Sequence, residues 1–258
     1  MDYQTITYAV EDGVAVITFN RPETLNAMTQ QMRAEITDAI IAAGETARVL
    51  VLTGAGGAFC SGQDLGDGAN AAHVDLERTL RDEYMPMLRA LRDLSIPTIS
   101  AVNGAAAGAG ANLALAADVV IASESAYFLQ AFSRIGLMPD AGGTYELPRR
   151  MGTAKAMGAA LFGERISATQ ADQWGMIWEA VPDEGFEAHW QARAKHLASG
   201  PTLAYKEIKR AIQESSANDW TKQMEQEAKR QGKLGKTRDF QEGVVAFLQK
   251  RPAQYEGR

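Results

Sequence analysis

AVNGAAAGAGANLALAADVVIASESAYFLQAFSRIGLMPDAGGTYELPR, Ala101 to Arg149, is the stretch that decides how this chain is read. It opens as a strand and runs into Asn103-Gly104-Ala105-Ala106-Ala107-Gly108-Ala109-Gly110-Ala111, where three glycines and five alanines leave little side chain over the backbone. A helical pattern then begins with Leu113, Leu115, Ala116 and Ala117. A helix starting in such a run presents unobstructed N–H groups, which favour developing negative charge such as a carbonyl oxygen becoming an enolate. About thirty residues on, Pro139-Asp140-Ala141-Gly142-Gly143-Thr144 places one carboxylate on a Gly-rich turn after apolar Leu137 and Met138. Backbone donors plus a carboxylate in apolar company are the minimum needed to move protons beside a carbonyl.

Working outward, the 258 residues suffice for one large domain, or one domain with a helical extension. The chain is 46% hydrophobic and 22% charged, an ordinary globular balance. Its net charge of −6, with no basic stripe, argues against nucleic acid as a partner. Cys60 is the single cysteine, so no internal disulfide can form, and a reducing cytoplasm fits. The N-terminus MDYQTITYAV lacks the basic n-region of a signal peptide. Ile99 to Ala117 carries no charge, but its Ala and Gly content and its Asn103 and Asn112 read against a membrane span.

In chain order, Ile6–Val10 and Val14–Phe19 flank Glu11-Asp12-Gly13 as a hairpin. Thr29 reads as the N-cap of a helix carrying Met32, Ile36 and Ile40, and Arg48–Thr53 as a buried strand. The following Gly54-Ala55-Gly56 invites a dinucleotide reading. Phe59 stands where the third glycine belongs, and Gly62, Gly66 and Gly68 block a helix start, so the segment reads as a loop offering N–H groups to a ligand. Residues 66–74 are small and polar, and Leu76, Leu80, Tyr84, Leu88 and Leu91 mark a helix expected to bend at Pro86. Pro97–Val102 and Asp118–Ala122 are further strands, so strand, strand and helix alternate through the first two thirds. The last third is helical: Phe186, Trp190, Ala194 and Leu197 share a face, and Leu203, Ile208 and Ile212 mark the next helix. Trp220–Lys236 reads as a charged surface segment, and Asp239-x-x-Glu242 as a capping box.

Several motifs in order carry a resemblance. They are Asn20-Arg21-Pro22 with Leu25-Asn26-Ala27; Phe59-Cys60-Ser61-Gly62-Gln63-Asp64-Leu65; Ala101-Val102-Asn103-Gly104 with Gly108-Ala109-Gly110; and Gly136-Leu137-x-Pro139-Asp140-x-Gly142-Gly143-Thr144 with Leu147-Pro148-Arg149. With Glu242-Gly243-x-x-Ala246-Phe247 and Lys250-Arg251-Pro252, they make the chain resemble the enoyl-CoA hydratase/isomerase (crotonase) family over essentially its whole length. The resemblance implies an α/β fold, a crotonase-like β-β-α superhelix. Residues 1–195 would form the core with the acyl-CoA site, and residues 196–258 a C-terminal helical trimerisation region packed on it. It implies an acyl-CoA thioester as ligand, coenzyme A entering only as part of the substrate, no metal or redox cofactor, and neither nucleic acid nor membrane as partner. It implies a homotrimer or dimer of trimers in the cytoplasm, with room for a hetero-complex with a hydratase of the family.

The family's oxyanion hole maps onto the backbone N–H groups of Gln63 and Ala109, and its catalytic aspartate, where isomerases carry one, onto Asp140. Substrate contacts are expected from Ala58, Ser61, Asp64, Leu65, Gly110, Asn112, Phe132, Pro139 and Thr144. The two glutamates of the hydratases would fall at Asn112 and Phe132, and neither an amide nor a phenyl ring is a useful base. Ordinary hydratase activity is therefore disfavoured, and a hydratase-like enzyme stands as the alternative. Phe128–Pro148, Ala154–Gly163 and Gln173–Trp178 are similar to the family's ring-expanding isomerases, which act on ring-epoxidised phenylacetyl-CoA and also shift double bonds in enoyl-CoAs.

Blander roles stand beside these. Asp140 could cap its turn; Asn112 could be a satisfied core amide; Asp64 could clamp its loop. Phe128 and Phe132, four apart, could be core rather than pocket, with Tyr127 the alternative lining residue. Cys60 lacks a nearby histidine and the G-x-S-x-G elbow of a nucleophile, and His73, His189 and His196 lack metal-ligand spacing. An enoyl-CoA hydratase-like enzyme, a hydrolase or dehalogenase in which a carboxylate attacks the acyl group, and a non-catalytic CoA-binding subunit of a hydratase complex are the competing functions.

Overall fold

A computed structural model describes residues 2–66 and 75–258; His73 and the small polar residues 67–74 lie outside the described residues. The chain begins with β1 (Ile6–Glu11) and β2 (Val14–Phe19), an antiparallel hairpin turned by Asp12 and Gly13, both at positive φ. Then α1 (Gln30–Thr46) starts as expected at Thr29, whose hydroxyl accepts from the Met32 N–H at 3.2 Å. Its Met32, Ile36 and Ile40 are fully buried.

From here the chain winds as a superhelix of β-β-α turns. The first turn is β3 (Val49–Gly54), β4 (Ala58–Cys60) and a helix built of α2 (Leu76–Thr79), a π turn (Leu80–Tyr84) and α3 (Met85–Asp93). The second is β5 (Thr98–Val102), β6 (Ala105–Ala107) and α4 (Ala109–Leu115); the third is β7 (Val119–Ser123), β8 (Tyr127–Leu129) and α5 (Gly143–Phe162). Next come β9 (Arg165–Ser167), α6 (Ala168–Gln173) and β10 (Glu179–Val181), then α7 (Phe186–Ala198), α8 (Thr202–Ser215), α9 (Trp220–Leu234) and α10 (Arg238–Gln249). The first strand of each turn joins a six-stranded sheet in the order β1-β2-β3-β5-β7-β10, parallel from β2 onward. The second strand joins a four-stranded sheet in the order β4-β6-β8-β9. Stacking the turns thus builds two sheets side by side, with β4, β6 and α4 converging at one end.

Period-two alternation divides the core. Val49 and Val51 of β3 face Phe186, Trp190, Ala194 and Ala198 of α7, while Leu50 and Leu52 face the main core with Phe19, Met32 and Phe59. Ile99 to Ala117, uncharged throughout, is folded into β5, β6 and most of the α4 turn. Among the described residues no helix is long and apolar enough to cross a membrane.

Two expectations need correction. The helix at Pro86 widens into the π turn immediately before it, which gives the proline ring room against the preceding carbonyls. The α10 cap is Thr237, accepting from the Phe240 N–H at 3.1 Å, and not a capping box. Asp239 instead accepts from Glu256 and Gly257, and Glu242 from Gln254, which fastens the C-terminal tail. The core reading of Phe128 holds, since it is fully buried in the main core, while Tyr127 stacks on the Arg165 guanidinium at 4.3 Å.

Candidate active site

The Gln63 loop is held like a strand without being one. Met28 bridges to Gln63 in parallel register: the Met28 N–H donates to Gly62 O at 2.8 Å, and the Asp64 N–H donates to Met28 O at 3.1 Å. In a parallel bridge the residue between those two bonds turns its own N–H and C=O the other way. The Gln63 N–H therefore points away from Met28. The Asn-Arg-Pro and Leu-Asn-Ala motifs build the support. Buried Asn26 donates to Ala55 O and Ala58 O at 3.0 and 2.8 Å, and Arg21 donates to Asp64 Oδ2 at 2.7 Å.

Opposite lies the start of α4. A methyl on Gly62, itself at φ +105°, would stand 2.9 Å from Ala107 O and 3.5 Å from Ala109 N; one on Gly110 would stand 2.3 Å from Cys60 O. Only glycines let the two backbones approach so closely. Ala109 is the first residue of α4, so its N–H has no intrahelical acceptor. Among the described residues, no hydrogen bond uses the Gln63 or the Ala109 N–H.

Asp140 sits on a turn against the first turn of α4. The Gly143 N–H donates to Asp140 O at 2.8 Å, with Ala141 at φ +46° and Gly142 at φ +86° between them. A left-handed alanine costs about 1–2 kcal/mol, and such strain concentrates at functional sites. The Asn112 amide donates to the same Asp140 carbonyl at 2.8 Å, and its own Oδ1 accepts from Gln130 Nε2 at 2.9 Å. Thus Gln130, Asn112 and the Asp140 backbone form one buried relay. The Asp140 carboxylate is treated differently: Oδ1 is buried without a partner among the described residues. It does not cap its turn. Burial pushes its pKa up to about 6, against the opposing effect of its own N–H.

The expected contacts sort themselves on this frame. Phe132, 7% exposed, reaches Gly108, where an added methyl would stand 3.8 Å from its ring, so it walls the space above the α4 start. Pro139 is buried beside Asp140, and Ser61 and Leu65 flank the Gln63 loop, Leu65 being exposed. Ala58 and Gly110 are buried and serve the close approach of backbones. Asn112, expected to touch substrate, is fully buried, and both ends of its amide are engaged inside the protein. Asp64 is a loop clamp, its pKa lowered by the Gly66 N–H and by Arg21. Thr144 is exposed on α5. Burial pushes the Cys60 thiol up to about 12, which leaves no thiolate for nucleophilic work. Sequence reading missed Gln130 and Arg33. Each left a signal: a lone amide in the apolar run Tyr127–Phe132, and a cation next to Met32 on the inward side of α1.

A cavity of about 560 Å³ lies elsewhere, at the far end of α4, between Ala116–Val119, Tyr145, Arg149 and α8. Both of its carboxylates are paired, Asp118 with Lys209 at 3.0 Å and Glu146 with Arg150 at 3.3 Å, and it carries Arg92 and Arg149 besides. Size alone would point there, but the unpartnered groups are at the other end, and they identify the candidate site.

Comparison with known proteins agrees with this geometry. The family model described as enoyl-CoA hydratase/isomerase matches residues 9–258. The chain belongs to that family. It is 58% identical over 258 residues, all of both chains, to a protein of Rhodobacter capsulatus named probable enoyl-CoA hydratase. It is 46% identical over 254 residues, 96% of this chain and 97% of the relative, to the 1,2-epoxyphenylacetyl-CoA isomerase of Escherichia coli. A crystal structure of a putative enoyl-CoA hydratase/isomerase from Mycobacterium abscessus superposes with a TM-score of 0.93 at 37% identity, covering 98% of this chain and all of the other. The enoyl-CoA hydratase/isomerase fold thus accounts for both sheets and for the helices that follow them.

Proposed function

We propose that this enoyl-CoA hydratase/isomerase family member is an acyl-CoA isomerase that moves a proton with Asp140, and that its substrate is ring-epoxidised phenylacetyl-CoA. One observation carries the reading: a half-buried carboxylate whose buried Oδ1 has no hydrogen-bond partner among the described residues stands against the start of α4, where the Ala109 N–H has none either. The Gln63 and Ala109 N–H groups hold the thioester oxygen and stabilise its enolate form. The Asp140 carboxylate removes the proton on the carbon next to the thioester. In a 3-enoyl-CoA the electrons shift one bond along, and Asp140 returns the proton at the far carbon. In the epoxide the shared carbon–carbon bond opens, the ring expands around its oxygen, and the proton returns to a ring carbon. Each product is an isomer of its substrate, so no water or redox partner is consumed.

The resemblance to the E. coli isomerase supports the aromatic substrate, as does Phe132 over Gly108. The name of the R. capsulatus relative offers hydration instead. That reaction needs a base at each of two positions, and here one is the closed Asn112 amide and the other the Phe132 ring. The acting assembly is proposed as a homotrimer or dimer of trimers, for which strongly exposed Ile212, Trp220, Phe247 and Leu248 on the C-terminal helices speak. The deciding experiment is turnover of a trans-3-enoyl-CoA and of the epoxyphenylacetyl-CoA by wild type and Asp140→Asn. Wild type should convert both, and the variant should lose about 10²–10⁴ in kcat while still binding acyl-CoA. Undiminished turnover in the variant, or hydration of a 2-enoyl-CoA by wild type, would overturn the reading.

A further inference from the structure

Arg33 is a buried cation that the proposed chemistry does not use. It lies on α1, 5% exposed, and its guanidinium engages three groups. Nη1 donates to Met28 O at 2.8 Å. Nε donates to Glu83 Oε2 at 2.9 Å, and Nη2 pairs with the same oxygen. The carbon of the guanidinium stands 4.7 Å from the centre of the Tyr84 ring, and Nη1 is 3.4 Å from the Tyr84 hydroxyl. Glu83 and Tyr84 are neighbours in sequence, and the π turn places both against one partner.

Met28 O is the acceptor that holds the Gln63 loop. It takes the Asp64 N–H at 3.1 Å and thereby completes the bridge that turns the Gln63 N–H away from Met28. A charged donor on the same oxygen fixes that peptide from the far side. The planar fork also connects it to Glu83, so Arg33 reaches the π turn directly and the Gln63 loop through Met28 O. Asp64 is clamped separately by Arg21.

We propose that Arg33 is a positioning residue for the isomerisation: by holding Met28 O and bracing it on Glu83 and Tyr84, it fixes the direction of the Gln63 N–H toward the thioester oxygen. This rests on the oxyanion reading given above. A lysine there keeps the charge but loses the fork, and a methionine loses both.

The test reads the oxyanion contact itself. The probe is phenylacetyl-CoA carrying ¹³C at the thioester carbonyl, which lacks the epoxide and does not turn over; the readout is its carbonyl stretch by isotope-edited infrared difference spectroscopy. Bound to wild type and to Asp140→Asn, the stretch should fall below its value in water by the same amount. In Arg33→Met and Arg33→Lys it should move back toward that value. Their kcat on the trans-3-enoyl-CoA should fall about 10- to 100-fold with KM little changed, and the pH profile set by Asp140 should stay in place. Glu83→Gln, which keeps the cation, should show a smaller change of the same kind and covers the case in which Arg33→Met does not fold. A carbonyl stretch unmoved in folded Arg33→Lys and Glu83→Gln, with wild type shifted, would overturn the role of Arg33 and leave the oxyanion reading standing. No shift in wild type would overturn both.

Discussion

The two ends of α4 are built to opposite rules. At its C-terminal end the carbonyls of Leu115 and Ala117 both accept from Arg150 Nη2, at 2.5 and 3.0 Å, and the neighbouring charges of Lys209, Asp118 and Glu146 are paired. At its N-terminal end the Ala109 N–H, the Gln63 N–H and Asp140 Oδ1 have no partner among the described residues. Helix ends normally find partners, and an unpaired buried group costs about 1–3 kcal/mol. The same short helix shows that this chain can supply side-chain partners at a helix end, so the open end is where a ligand is expected to supply the missing ones. The far cavity has both of its carboxylates paired; the near site keeps two N–H groups and a carboxylate oxygen without partners among the described residues.

Changing Gly110 to Ala is the strongest way to break that contrast. The added methyl would stand 2.3 Å from Cys60 O and 2.8 Å from Cys60 Cβ, so α4 or β4 must move. The Ala109 N–H would then lose its setting opposite Gln63. We expect kcat to fall by about 10²–10³, the cost of losing one such donor, and stability to fall by about 1–3 kcal/mol from overpacking. Turnover measured beside thermal unfolding separates the two effects. A folded variant with full activity would mean that the open end of α4 takes no part in the reaction.

Arg150→Met sharpens the contrast from the other side. It removes the donor from two carbonyls at the closed end, and charge-assisted bonds of this kind contribute about 1.5–3 kcal/mol. The side chain is partly exposed, so a loss of about 1–2 kcal/mol by denaturant unfolding is expected. The kcat of the folded variant should equal that of wild type. A large drop in kcat would show that the two ends are coupled through the helix, and that the division drawn here is wrong.

How legible each part was in the sequence follows the range of the interactions involved. The long strands β2, β3 and β5 were legible because branched apolar residues mark them locally. The strands β4, β6 and β8 have three residues each, and Ala105-Ala106-Ala107 carries no periodicity at all; their pairing is set by the stacking of successive turns. The resemblance, carried by the order of the motifs, assigned Gln63, Ala109 and Asp140 to one candidate site, because its small residues and Gly-rich turn are visible in one dimension. The relay from Gln130 through Asn112 to Asp140 was not visible, since it joins β8, α4 and the α5 turn. The missed cap at Thr237 has the same origin: Asp239 is taken by the C-terminal tail, eighteen residues away at Gly257, a partner that local patterning does not reveal.

The smallest effect concerns what the open end costs the fold. Burial raises the Asp140 pKa to about 6, against roughly 3.9 for an unfolded aspartate. Between those values the folded chain holds a proton that the unfolded chain releases, so stability falls as pH rises through the window. Below about pH 4 both states are protonated and the penalty is absent. Above about pH 6 it is complete, and solvent screening of this half-buried group reduces it to about 1–2 kcal/mol. Asp140→Asn removes the charge and keeps the shape. The variant should therefore unfold about 3–5 °C higher than wild type at pH 8, a difference that closes near pH 4. In the active enzyme the same titration should make kcat/KM rise with pH through about 6, since only the carboxylate can take the proton. Equal melting temperatures at pH 8, or a kcat/KM already flat at pH 5, would mean that Asp140 is ionised as easily as a surface aspartate. The open end of α4 would then carry no cost, and the contrast with its closed end would lose its energetic basis.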